Sequence, residues 1–282
     1  MTARHSQTRG TTLVELIVSM ALGLVLMLAV ATLHARILFM SAGTTRAADA
    51  QDTLRIALAM LEYELQHAGY WGLVPDASTI SGRRGDAAPL AVIVAGDCGP
   101  DWTTDLERPV EAWADGWPLD CAPFGGAASP GGVLALRRAD TRVSSPEAQV
   151  LQVHANPWTG RLAVDGEPPD PGAEARNLVA RAYYVSPRST GDPLRPSLRR
   201  KTLQRGPRII DEEIVPGVAG MRIELGVDTD LEGTPGHGQP NRFVTPGAAA
   251  GEIRAVRVTL WTDDDARLAA TRTIALRNGP AP

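Results

Sequence analysis

A long apolar stretch with one carboxylate at its head constrains this chain more than any other feature. From Leu16 to Leu33 no residue carries a formal charge and nearly all are apolar. That run is long enough for a helix that crosses a membrane. Glu15 stands immediately before it, inside the first turn of the helix that the run predicts. A carboxylate at the head of a lipid-facing helix is costly unless it has a partner, so by default it marks a function. The simple alternative is a Glu15 that reaches the headgroups from a plain anchor.

The flanks set orientation. Arg4 and Arg9 precede the run, which places the amino terminus in the cytoplasm by the positive-inside tendency, although Arg36 and Arg46 after it weaken the asymmetry. The large carboxyl-terminal part then lies outside the cytoplasm. A rival reading takes Ala29-Val30-Ala31 as an ordinary secretory cleavage site, with a soluble product starting at Thr32. Against it, the run is long for a signal-peptide core and Glu15 is out of place in one.

The stretch Arg9-Gly10-Thr11-Thr12-Leu13-Val14-Glu15-Leu16 resembles the type III signal of type IV pilins and pseudopilins. In that family a prepilin peptidase cuts after the glycine and methylates the new amino terminus. The resemblance implies processing between Gly10 and Thr11, although most members carry Phe at the position of Thr11. It also implies that Thr11 and Glu15 are subunit-docking residues. The new amine of Thr11 is a cation near neutral pH, and the carboxylate of a neighbouring subunit's helix could compensate it in lipid.

Helical spacing resumes after the apolar run. Leu54, Ala57, Leu58, Leu61, Leu65 and Ala68 recur at i, i+3 and i+4, and Gly69 is a terminator. A helix from Thr12 to Ala68 is expected, with Gly43 permitting a bend. Two further segments narrow the resemblance. His67-Ala68-Gly69-Tyr70-Trp71-Gly72 is similar to the Ala-Gly-Tyr-Trp-Gly segment of PilW-type minor pilins. Ala182-Tyr183-Tyr184-Val185, Glu213-Ile214-Val215-Pro216-Gly217-Val218 and Met221 to Asp230 resemble later strands of that family in the same order, with Pro216 in place of an acid.

Beyond residue 69, short apolar runs between Gly and Pro clusters read as strands: Leu90 to Ala95, Val133 to Arg138, Val150 to His154 and Leu178 to Val185. Met221 to Val227 and Val256 to Leu260 alternate as half-buried strands, and Leu268 to Leu276 closes the set. Antiparallel pairing with one wet face is expected. The fold class expected is α+β and pilin-like: a long amino-terminal hydrophobic helix packed on an antiparallel β-sheet globular domain. Its organisation would be a leader over residues 1–10, the transmembrane and assembly half of the helix over 11–40, its amphipathic half over 41–69, and a periplasmic β-rich domain over 70–282.

Composition excludes several classes. The net charge is −4 and, of 28 basic residues, Lys201 is the one lysine; nothing here suggests general nucleic-acid binding. Arg195 to Arg208 is a basic segment followed by Asp211, Glu212 and Glu213. It reads better as a hairpin with complementary arms than as a contact for an acidic partner or DNA, and it lacks the interleaved aromatics that stack bases. Cys98 and Cys121 cannot alone make a four-thiolate metal site. A disulfide is the natural outcome in an oxidising periplasm, two unpaired buried thiols being the alternative. Asp228 to Glu232 spaces acids like a calcium loop but lacks the closing Glu, so no metal is expected.

No nucleophile elbow, phosphate loop or metal-ligand histidine spacing occurs. The expectation is a non-enzymatic subunit with no cofactor. The resemblance implies a minor pilin that works with other minor pilins and the major pilin to initiate a type IV pilus at or near its tip. Prepilin peptidase, the inner membrane and a tip adhesin are the further partners it implies, and cell adhesion and twitching motility the processes such pili serve. Two alternatives stand beside it: a type II secretion pseudopilin of the J kind, and a periplasmic enzyme or binding protein on a simple anchor.

Overall fold

The computed structural model describes residues 12–128, 131–230, 234–248, 252–263 and 268–278, with backbone alone over 37–46. The chain divides into two compact units, Met1–Asp49 and Ala50–Pro282. Helix α1 runs over Leu13–His67. The hydroxyl of Thr12 accepts from the Glu15 amide (3.4 Å) at its start, which satisfies one of the orphan donors of a first turn. At its end Gly69 turns the chain at φ +75° and gives its amide to the Arg137 carbonyl. A Cβ at Gly69 would lie 2.5 Å from the Asn278 carbonyl oxygen, so only glycine fits that turn.

Among the described residues the second unit is built from two sheets. The larger has eight strands: β1 (Ile80–Ser81), β2 (Val110–Trp113), β3 (Val133–Ala139), β4 (Ala148–Ala155), β5 (Gly160–Asp165), β6 (Glu174–Ser186), β7 (Ser197–Gln204) and β8 (Arg208–Pro216). Its order is β1-β5-β4-β6-β3-β2, with β7 and then β8 added at β6. The smaller has four strands: β9 (Val218–Asp228), β10 (Arg242–Val244), β11 (Glu252–Thr262) and β12 (Ala269–Ala275), in the order β10-β9-β11-β12. Among the described residues all strand pairings are antiparallel except the short parallel contact of β1 with β5, and the isolated bridge of Ala95 to Arg208 is parallel as well.

This architecture corrects the α+β, pilin-like expectation of one helix on an antiparallel sheet with a wet outer face. The molecule is mostly β, with 38% strand against 22% helix, in two multi-strand sheets. The physical reason lies in β3 and β6. Every residue of β3 is buried. Leu134 and Leu136 join Leu54, Leu61, Leu65, Tyr183, Met221 and Val258 in one core, while Val133 and Ala135 join Trp102, Ala182 and Tyr184 in another. Both faces of the large sheet are therefore covered there, one of them by the loop between β1 and β3. The apolar runs Val133 to Arg138 and Leu178 to Val185 mark these strands, but a run shows neither that both faces are covered nor that a second sheet packs on one of them. Leu90 to Val94, expected as a strand, is irregular; only Ala95 makes a bridge, to Arg208.

Cys98 and Cys121 are joined by a disulfide across a sequence separation of 23. It fastens the loop that carries Trp102 and Trp117 against β3 and β6. Trp117 gives its indole N–H to the Cys121 carbonyl (2.6 Å) and packs edge-on to Tyr184. Cys98→Ser with Cys121→Ser is expected to cost about 3 kcal/mol by freeing a loop of this length in the unfolded chain. Urea unfolding of the oxidised protein and of the double variant measures it; a midpoint unchanged by the substitutions would refute the expectation.

Candidate functional site

The first unit carries the candidate docking surface. Leu13–Arg36 forms a 24-residue helical segment of mean hydropathy 2.6, none of it buried. Leu13, Val14, Met20, Leu24, Leu26, Met27 and Leu28 are all more than 60% exposed. A helix that is apolar all round and uncovered must be covered by lipid or by other helices. Two of its polar side chains bond the helix's own backbone: Ser19 donates to the Leu16 carbonyl (2.8 Å) and Thr32 to the Ala29 carbonyl (2.9 Å). Glu15 stands apart from them. It lies in the first turn of α1 and is exposed, with no ion-pair partner among the described residues. An acid is favoured at that end of the helix dipole. Gly10 and Thr11 lie outside the described residues.

In the second unit the structure gathers charged residues that the sequence reading left scattered. Glu64, on the last turns of α1, is buried and grips two arginines: Arg138 of β3 (Nε to Oε2 3.3 Å) and Arg181 of β6. Arg138 also lies over the Tyr63 ring at 5.6 Å. Sequence reasoning passed over Glu64, because it sits beside the apolar stripe at a position a solvated face also occupies. Its one legible signal was the pair Arg137-Arg138 inside an apolar strand. Arg137 is fully buried and donates to the carbonyls of Trp102 and Arg108 (both 2.6 Å), with Glu111 at 2.8 Å.

The basic segment and the acidic run after it form the complementary hairpin of β7 and β8. Register sets Arg199 opposite Glu213, Arg200 opposite Glu212 and Lys201 opposite Asp211. The ion pairs span 3.0, 2.7 and 2.9 Å. Cross-strand pairs of opposite charge stabilise such a ladder. Tyr184 donates to Asp211 (2.6 Å), and burial together with that carboxylate pushes the phenol's pKa up. The ladder spends its charges internally.

Asp228 at the end of β9 accepts amides from Asp230 (2.9 Å) and Gly238 (2.5 Å), which hold its carboxyl below the usual range. Leu231, Glu232 and Gly233 lie outside the described residues. Among the described residues no group of three or more His, Cys, Asp or Glu is placed to hold a metal. A cavity of about 380 Å³ is lined by Ala68, Pro109, Val110, Ile253 and Leu276 together with Glu107, Glu111 and Glu252. Those carboxylates pair with Arg83, Arg137 and Arg254.

Comparison with known proteins adds a partial family match. A model described as Type IV Pilus-assembly protein W matches residues 182–278, from the middle of β6 through β12 to Asn278. No curated protein and no solved structure matches the chain. The match indicates a protein involved in type IV pilus assembly, which acts with components of that machinery. Together with the apolar segment of α1, it points to a membrane-associated protein.

Proposed function

We propose that this protein is a minor pilin: a non-enzymatic subunit, cut after Gly10 by prepilin peptidase, that helps initiate a type IV pilus. It works at or near the tip with other minor pilins and the major pilin. The observation that carries the reading is the uncovered apolar segment of α1 with a lone carboxylate, Glu15, in its first turn. A plain anchor has no use for that acid. A subunit that leaves the bilayer to pack among other helices does, because Glu15 meets the amine of a neighbour's Thr11 and two buried-charge costs are resolved together. The family match over the carboxyl-terminal strands supports the pilus over a secretion system.

The test is the amino-terminal residue of the protein from native membranes, with and without prepilin peptidase. A start at Thr11 that depends on the peptidase is the expected result. A start at Thr32 would make the protein secreted and end the proposal. An intact Met1 would reduce α1 to a plain anchor and overturn it equally.

A further inference from the structure

Natural sheets guard their edges against stray pairing by keeping edge strands short, covering them, or placing Pro or charge on them. Most edges here follow that rule. β1 has two residues, β10 has three, and β2 has four directly after Pro109. β8 is longer, but Ala95 bridges to it at Arg208 on the side away from β7, and the strand carries Asp211, Glu212 and Glu213. β12 does not follow it. It has seven residues, Ala-Ala-Thr-Arg-Thr-Ile-Ala, with no Pro, and no irregularity breaks its register with β11.

The ladder identifies which groups are left over. Leu276 donates its amide to the Arg254 carbonyl, and Thr262 to that of Leu268. In an antiparallel pair, residues alternate between bonding the neighbour and facing away from it. With the register Val256 to Ile274, Val258 to Arg272 and Leu260 to Ala270, the even-numbered residues of β12 bond β11. The amides and carbonyls of Ala269, Thr271, Thr273 and Ala275 then point outward. Among the described residues none of them has a backbone partner outside the sheet. The side chains at those four positions are exposed and uncharged. The strand's one charge, Arg272, is taken up by Glu62 of α1.

We infer that the outer edge of β12 is a docking edge that pairs with a strand of a different pilus-assembly subunit. Four outward amide and carbonyl pairs at alternate residues are matched by one kind of occupant, an extended backbone. The neutral exposed face calls for a partner strand with no charge facing it. This inference rests on the minor-pilin reading only for the identity of the partner.

The experiment uses the full chain in its native membranes, with a benzophenone side chain installed at Ala269. The expected result is an adduct of this chain with another pilus-assembly subunit. Thr273→Pro should reduce its yield by about tenfold or more, because it removes an outward amide and sets a ring in the partner's path while leaving every backbone bond to β11 in place; the one side-chain bond lost, from Arg257 to the Thr273 hydroxyl, is lost equally in Thr273→Val. Thr273→Val, which keeps the amide, should leave the yield unchanged. Should Thr273→Pro lower the unfolding temperature, Ala275→Lys asks the same question through an exposed charge at the edge. An adduct at parental yield in the Pro or Lys variants, an adduct only with a second copy of this chain, or no adduct would each overturn the inference. The amino terminus is read on the same membranes. A start at Thr11 without an adduct sinks the edge alone, whereas a start elsewhere sinks the minor-pilin reading whatever the adduct shows.

Discussion

Glu15→Leu is expected to leave the protein in the membrane and to reduce its incorporation into pili by at least about tenfold. The substitution makes Leu13–Arg36 more apolar, so insertion is favoured. What it removes is the partner of a cation. In the proposed assembly the Thr11 amine of one subunit lies against Glu15 of the next, and an amine left unpaired among apolar helices costs a few kcal/mol, more than the 1.4 kcal/mol that makes a factor of ten. Glu15→Asp keeps the charge and should recover part of the loss, and Glu15→Gln should not. Immunoblots of membrane and sheared-pilus fractions measure both quantities. Parental incorporation of the Leu variant would mean that the acid has no docking role. The second unit should be untouched, because its core begins at Leu54, and its unfolding midpoint serves as the control.

The helix was legible from the chain because two signals agree on it. The apolar run and the later i, i+3, i+4 stripe predict Thr12 to Ala68, and α1 occupies Leu13–His67. Strands with one covered face were legible for the same reason: Met221, Ile223, Leu225 and Val227 alternate and form β9. The sheets' extent was hidden where strands are too short to show a period, as in β1, β2 and β10, and the run Val133 to Arg138 that marks β3 does not show that both its faces are covered. The hairpin of β7 and β8 was legible by another signal, the complementary charge of Arg199, Arg200 and Lys201 against Asp211, Glu212 and Glu213. Hydrophobic periodicity is silent for such strands, since their cross-strand partners are ions. Of the candidate site, Glu15 stands out in the sequence because an acid at the head of an apolar run is costly without a partner. Glu64 was not, because only the fold brings Arg138 and Arg181 to it.

Glu64 carries the largest expected effect on stability. Its carboxylate is buried between Arg138, whose side chain is 4% exposed, and Arg181, at 20%. Removing one member of a buried ionic cluster leaves the others desolvated and unpaired, which costs about 3–5 kcal/mol. Glu64→Leu is therefore expected to shift the unfolding of the second unit by that amount, read from the urea dependence of tryptophan fluorescence. Arg181 can turn toward water, so most of the cost falls on Arg138, whose other hydrogen bond in the structure goes to the Ala139 carbonyl (3.1 Å). Adding Arg138→Leu to Glu64→Leu should then recover more than half of the loss, since an apolar pair replaces an orphaned charge. Glu62 provides the contrast two residues away on the same helix. It pairs with Arg272 where both side chains are at least a third exposed, and Glu62→Ala should cost less than about 1 kcal/mol. Equal costs at the two positions would show that burial of the Glu64 cluster plays no part in holding the end of α1 to β3 and β6.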